Sequence, residues 1–204
     1  MLPIKKKLIK YNYSSRNNKR IEYIVIHDTG NTSKGAGADN HYRYFNGGNR
    51  SASAHYFVDD KEIIQTVEDF NYSWHCGDGK GKYGITNSNS IGVEICINSD
   101  GDYEKAVDNT IELVKHLMKK QNIPIEKVVR HYDASRKICP RTMSHNNWEG
   151  WKAFKQILQE KPHKAGQTFY RVMAGSFSQR ENAERQVQKL KAAGFDATIM
   201  IFTK

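Results

Sequence analysis

The run Ile21-Glu22-Tyr23-Ile24-Val25-Ile26-His27 constrains this chain more than any other stretch. Its β-branched and aromatic side chains favour a buried strand, and Asp28-Thr29-Gly30 ends it, so the strand delivers His27 to its C-terminal end. In α/β sheets that end is where chemistry tends to be presented. Residues 36–45 have helical spacing and stop at Gly47-Gly48. Residues 54–58 and 62–67, parted by the polar turn Asp59-Asp60-Lys61, predict a hairpin. Residues 90–97 and 128–131 predict two more strands. Residues 103–121 predict an amphipathic helix with Val107, Ile111, Val114, Leu117 and Met118 on one face, broken by Pro124. Residues 148–160 read as a closing helix. The expected fold is α/β, a central mixed β-sheet flanked by helices. The loop of residues 71–90, rich in Gly and Asn, is long for a compact domain and is read as one wall of a functional groove.

A chain of 204 residues accommodates one ordinary core and a short appendage. The reading is a basic extension at 1–20, a main domain at 21–160, a linker with Pro, Gly and Lys at 161–167, and a short segment at 168–204. That last segment predicts strand, helix and strand at 169–174, 179–193 and 197–202. So few residues bury little core alone. The segment docks, pairs with a second copy through an exposed sheet edge to give a dimer, or is a fragment of a larger unit.

The formal net charge of +10 is uneven: residues 1–20 carry +7, residues 21–150 carry −3 and residues 151–204 carry +6. Basic ends on a slightly acidic middle suit attraction to a polyanionic surface, of which anionic cell-wall polymers are one example. No recognition signature accompanies the charge, so nucleic acid is not expected as a partner. No stretch reaches the roughly 20 apolar residues a transmembrane helix needs. The start MLPIKKKLIK lacks the apolar run of a secretory signal, so the expectation is synthesis in the cytoplasm and export by another route.

Cys76, Cys96 and Cys139 are an odd number and do not complete a disulfide framework. Cys96 lies in an apolar run and reads as a small buried hydrophobe, and Cys76 as a loop-packing residue. No closely paired ligands of the structural zinc kind occur. Instead His27 stands at a strand end, and His131 and Cys139 lie eight residues apart far downstream. Three such ligands would leave a fourth tetrahedral position open, the arrangement of catalytic zinc. Spacing alone leaves open that these are structural histidines.

The stretches Ile24-Val25-Ile26-His27-Asp28-Thr29, Ser53-Ala54-His55-Tyr56-Phe57-Val58-Asp59, Ser90-Ile91-Gly92-Val93-Glu94, and Arg130-His131-Tyr132-Asp133 through Lys137-Ile138-Cys139-Pro140 resemble the type-2 N-acetylmuramoyl-L-alanine amidases. That family includes phage endolysins and is related to peptidoglycan recognition proteins. The resemblance spans residues 20–160, and it implies Zn2+ held by His27, His131 and Cys139. It also implies a catalytic base at Glu94, a stabilising lysine at Lys137, and peptidoglycan, stem peptide and glycan alike, as the partner. Where some relatives have a catalytic tyrosine this chain has His55 beside Tyr56. Strand alternation lets only one of the two face the metal, and His55 is the choice. Residues 169–196 resemble the first half of a SPOR domain, a module associated with glycan strands. Two rivals remain: a cysteine-histidine hydrolase with Cys139 as nucleophile, and a receptor of the same fold that binds the wall without cutting it.

Overall fold

The computed structural model describes residues 1–159, 174–195 and 197–199. The chain divides into two compact units, Met1–Lys161 and Pro162–Lys204. The first holds β1 (Ile4–Lys6), β2 (Tyr13–Ser15), β3 (Tyr23–Asp28), β4 (Tyr56–Val58), β5 (Ile63–Gln65), β6 (Asn71–Ser73), β7 (Ser90–Ile95) and β8 (Val128–Arg130). Six of them form one sheet in the order β1-β5-β4-β7-β3-β8, and β2 pairs with β6 in a separate ribbon. Pairing is parallel except within the β4-β5 hairpin, so the main sheet is mixed, as expected.

Alternation along the two central strands sorts their side chains. Ile24 and Ile26 of β3 and Ile91, Val93 and Ile95 of β7 point to one face, all fully buried. Two helices cover that face. In α2 (Tyr103–Gln121), Ala106, Thr110, Ile111, Leu113, Val114 and Leu117 are buried, the stripe a 3.6-residue period dictates. Asp102 caps its start by accepting from Lys105 N, and Asn122 closes its end in the left-handed conformation. The second, α4 (His145–Gln159), adds Trp151, Phe154 and Leu158. Its first turn is not regular, because Asn146, Asn147 and Trp148 all have positive φ. On the opposite face, α1 (Ala38–Asn46) packs Ala38 with Phe57, Ile64 and Cys96. Beside it, Val25 packs with Cys76, Ile85 and Ala134 from the β6-β7 loop and the short α3 (His131–Ser135).

Residues 1–20 depart from their reading as an extension. β1 pairs in parallel with β5 as the edge of the main sheet, and Ile9, Asn12 and Arg16 are buried. Lys5, Lys6 and Lys7 form ion pairs with Glu62, Glu68 and Asp39, so part of the N-terminal charge is matched within the fold. In the second unit, α5 (Arg180–Ala192) has no buried residue. The expected linker at 161–167 and most of the flanking strands at 169–174 and 197–202 fall outside the described residues; 197–199 are described and are not strand. Among the described residues no helix is long and apolar enough to cross a membrane.

Candidate metal centre

His27 follows Val25 by two residues and therefore faces away from α2 and α4. Its partner across the β3-β7 register is Glu94, which faces the same way. β8 ends at Arg130, and His131 opens α3. The Arg130 guanidinium donates to both oxygens of Asp133 at 3.0 and 2.7 Å, and Arg130 N donates to the same carboxylate at 2.9 Å. This clamp turns the chain back. Tyr132 N then donates to the Cys139 carbonyl at 3.1 Å, and Asp28 accepts from Thr142 N and Oγ1 at 2.8 and 3.0 Å. These ties bring the next loop against the end of β3. One donor atom each from His27, His131 and Cys139 thereby lie within 4.8 Å of one another, and all three residues are buried.

The bonding around the trio leaves specific atoms bare. His131 Nε2 donates to Asp78 Oδ1 at 2.8 Å, while its Nδ1 is buried without a partner. His27 Nδ1 lies 3.8 Å from both Cys139 Sγ and Glu94 Oε1. Glu94 Oε2 is likewise buried and unpartnered. A buried polar atom left unpaired costs about 1–3 kcal/mol, so two at one spot point to a bound species that satisfies them. Two imidazoles and a thiol are the N and S donors a borderline-soft divalent cation takes, and the residues present fit such an ion. Burial, with the mutual repulsion of His131, His75 and Lys137, holds His27 well below the usual histidine range, keeping it neutral as a ligand must be. Burial and then the neighbouring Asp28 push Glu94 up to about 8, with Lys137 opposing. Burial and Glu94 push the Cys139 thiol up, the opposite of what a free nucleophilic thiolate requires.

Lys137 lines both of two adjoining cavities, one of about 340 Å³ and one of about 170 Å³. His27, Glu94 and Cys139 lie in the smaller, and Trp74, His75 and His131 are shared by both. Trp74, His75, Asp78 and Asn87 belong to the loop expected to wall the groove.

His55 is not at the centre, which corrects its assignment as a helper facing the metal. Its ring is fully buried, with Nδ1 accepting from Gly92 N at 3.0 Å and 2.8 Å from Ser73 Oγ, and Nε2 between Arg16 Nη2 and the Asn71 carbonyl at 3.1 and 3.3 Å. The parity argument put it on the correct face, but its backbone N–H donates to the Gly92 carbonyl, two residues short of Glu94. At about 3.3 Å per residue that is about 7 Å down the strand. Tyr56 points to the other face, its hydroxyl donating to Asp69 at 2.8 Å.

The residue that instead contacts a member of the trio is His75, whose Nδ1 lies 3.0 Å from His27 Nε2. Sequence reasoning passed over it while reading its neighbour Cys76. The glycines around it acquire their meaning only in the folded structure. A Cβ on Gly79 would sit 2.1 Å from the Ala134 carbonyl oxygen, so only glycine lets the loop approach α3.

A mixed parallel-rich sheet that gathers two histidines, a thiol and a carboxylate at the carboxyl ends of its central strands defines an α/β domain built around a metal-competent cluster. A family model described as N-acetylmuramoyl-L-alanine amidase matches residues 17–142, and a SPOR domain model matches residues 149–204. The SPOR match thus begins within α4, whose Trp151 and Phe154 belong to the main core. The chain is 41% identical over 156 residues to N-acetylmuramoyl-L-alanine amidase CwlH of Bacillus subtilis, covering 76% of this chain and 60% of that one. It is 44% identical over 131 residues to XlyA of the same organism, covering 64% of this chain and 43% of that one. It therefore spans about half the length of the curated relatives it matches. The solved catalytic domain of XlyA superposes with a TM-score of 0.67 at 38% identity, covering 77% of this chain and 99% of that one. PlyL superposes with a TM-score of 0.67 at 36% identity, covering 78% and 98%. The chain belongs to the N-acetylmuramoyl-L-alanine amidase family.

Proposed function

We propose that this protein is a zinc-dependent amidase that hydrolyses the bond between N-acetylmuramic acid and L-alanine in peptidoglycan. The observation that carries the reading is the convergence of one donor atom each from His27, His131 and Cys139 beside Glu94, one of whose carboxylate oxygens is unpartnered. His27, His131 and Cys139 would hold the ion. When bound, zinc polarises a carbonyl and lowers the pKa of a water to about 7. Glu94, buried beside the cluster with one oxygen unpartnered, would take a proton from the attacking water and return it to the departing amine. Lys137 lies at the cavity wall and stabilises the oxyanion, a role worth about 2.7–4 kcal/mol per donor. The stem peptide and glycan lie along the two adjoining cavities, with the loop bearing Trp74 as one wall. The SPOR match supports glycan contact by the C-terminal segment.

The test is the purified protein on isolated cell wall, with and without chelator, followed by identification of new chain ends. The reading predicts new L-alanine amines without new reducing sugars, lost on chelation and restored by zinc. New reducing sugars, or amines formed equally in chelator, would contradict it, and binding without any new ends would favour a receptor.

A further inference from the structure

His75 and Ser90 lie behind His27, on the side away from the cluster, and their hydrogen bonds form a directional chain. Ser90 Oγ is 2.5 Å from the Thr86 carbonyl oxygen, which only accepts, so the single hydroxyl proton goes there. Ser90 Oγ then accepts from His75 Nε2, 3.0 Å away. A neutral imidazole with its proton on Nε2 has a bare Nδ1. His75 is partly buried, with each ring nitrogen 3.0 Å from a nitrogen or oxygen partner, Ser90 Oγ at Nε2 and His27 Nε2 at Nδ1. His27 must therefore donate to that Nδ1. The proton of His27 is thus fixed on Nε2, and its Nδ1 lone pair faces Cys139 and Glu94.

The surroundings are shaped to hold this chain. Asn87 Oδ1 accepts from both His75 N and Cys76 N, at 3.0 and 2.8 Å, locking the loop that carries the ring. On the sheet side, a Cβ on Gly92 would lie 2.5 Å from His75 Cγ. Glycine in the middle of a central strand forfeits packing, and here it makes room for the ring.

We propose that His75 and Ser90 are positioning residues that select the Nε2–H tautomer of His27 and so prepare its Nδ1 as a metal ligand. The function of the tautomer rests on the zinc reading, but the tautomer itself is a property of the metal-free chain. Partners that orient a ligating histidine typically carry about 10–100-fold in metal affinity. Without the Ser90 acceptor, His75 gains nothing from keeping its proton on Nε2. It can then donate through Nδ1 to His27, which moves the His27 proton to Nδ1, where it blocks the ligand position.

The test is imidazole 15N NMR of the metal-free protein, paired with zinc affinity by chelator competition. Wild type should show His27 as a single Nε2–H tautomer. Ser90→Ala should keep the amide fingerprint of the fold, show a second His27 form protonated on Nδ1, and bind zinc about 10-fold or more weakly. His75→Asn keeps an amide oxygen near the Nδ1 position, so adding Ser90→Ala to it should cost little further affinity. A wild-type His27 protonated on Nδ1 overturns the proposal, as does a Ser90→Ala variant with unchanged tautomer and affinity. Affinity lost with no change of tautomer would assign the pair a purely structural role and also overturn it. The wild-type spectrum decides the tautomer whether or not the variants fold. If the wild type binds no zinc, the zinc reading fails while the tautomer result stands apart from it.

Discussion

His27 and Glu94 stand opposite each other in the register of the two central parallel strands, and His27 Nδ1 lies 3.8 Å from Glu94 Oε1. A candidate metal ligand and a candidate base are therefore set by one sheet pairing rather than by loops. Glu94→Gln keeps shape and removes the base. It should retain the fold and the zinc content of the wild type and lose about 10²–10⁴-fold in turnover. Near wild-type turnover in a variant with full zinc would show that Glu94 is not the base.

The same carboxyl gives the metal-free protein a distinctive pH dependence. Its folded pKa is raised from the ordinary carboxylate range to about 8, so its contribution to stability is complete below the unfolded value and is lost as pH rises through about 8. Buried histidines act in the opposite sense. His55, lowered to about 3 by burial and by Arg16, contributes stability that is present above about 6.5 and lost as pH falls. The slopes of the buried histidines fade above about pH 7.5, and because they are common to both proteins they cancel when wild type is compared with Glu94→Gln. Chemical denaturation of the metal-free proteins should show wild type losing stability relative to Glu94→Gln as pH rises from about 6.5 to 8. Parallel slopes in the two proteins would contradict the burial of this charge.

His55→Ala separates a structural histidine from a catalytic one. The change removes the partner of Arg16, Ser73 and Gly92 in a sealed interior, which should cost about 2 kcal/mol or more of stability. Zinc content and turnover per folded molecule should fall far less than in Glu94→Gln. A stable variant with turnover reduced as much as in Glu94→Gln would restore a direct role for His55.

Much of this architecture was legible in the residues. The helix at 103–121 was marked by its apolar spacing and by Pro124 after it, and its bounds agree with the structure. β3 announced itself because a strand buried on both faces is a continuous apolar run. The candidate trio was found by motif, since residues 27, 131 and 139 are joined only by tertiary structure. Three features were not legible. The parallel pairing of β1 with β5 joins positions about 60 residues apart, and three polar-flanked residues give no strand signal. Alternation told which face His55 occupies but not how far along the strand it lies, which depends on register with β7. His75 sits in a loop without periodicity, and its role rests on Gly92, whose missing side chain has meaning only once the ring is seen against it.

Deleting residues 162–204 tests whether the C-terminal segment concentrates the protein on cell wall. Co-sedimentation with isolated wall and activity on whole cells should decrease, while turnover on a small soluble muropeptide should scarcely change, because His27, Glu94, Lys137 and Cys139 all lie in the first unit. Any electrostatic share of the attraction should fade with salt as the Debye length shrinks from about 10 Å at 0.1 M to about 3 Å at 1 M. Equal sedimentation of full-length and shortened protein at every salt concentration would remove the targeting role.

The most direct test of the account is zinc stoichiometry by elemental mass spectrometry on wild type and on the single variants His27→Ala, His131→Ala and Cys139→Ser. The account predicts one zinc per chain in the wild type and a loss of tight zinc in each variant, together with lower thermal stability, because metal that binds only the folded state stabilises it. Undiminished zinc in the variants, or a wild type that is fully active with none, would contradict it.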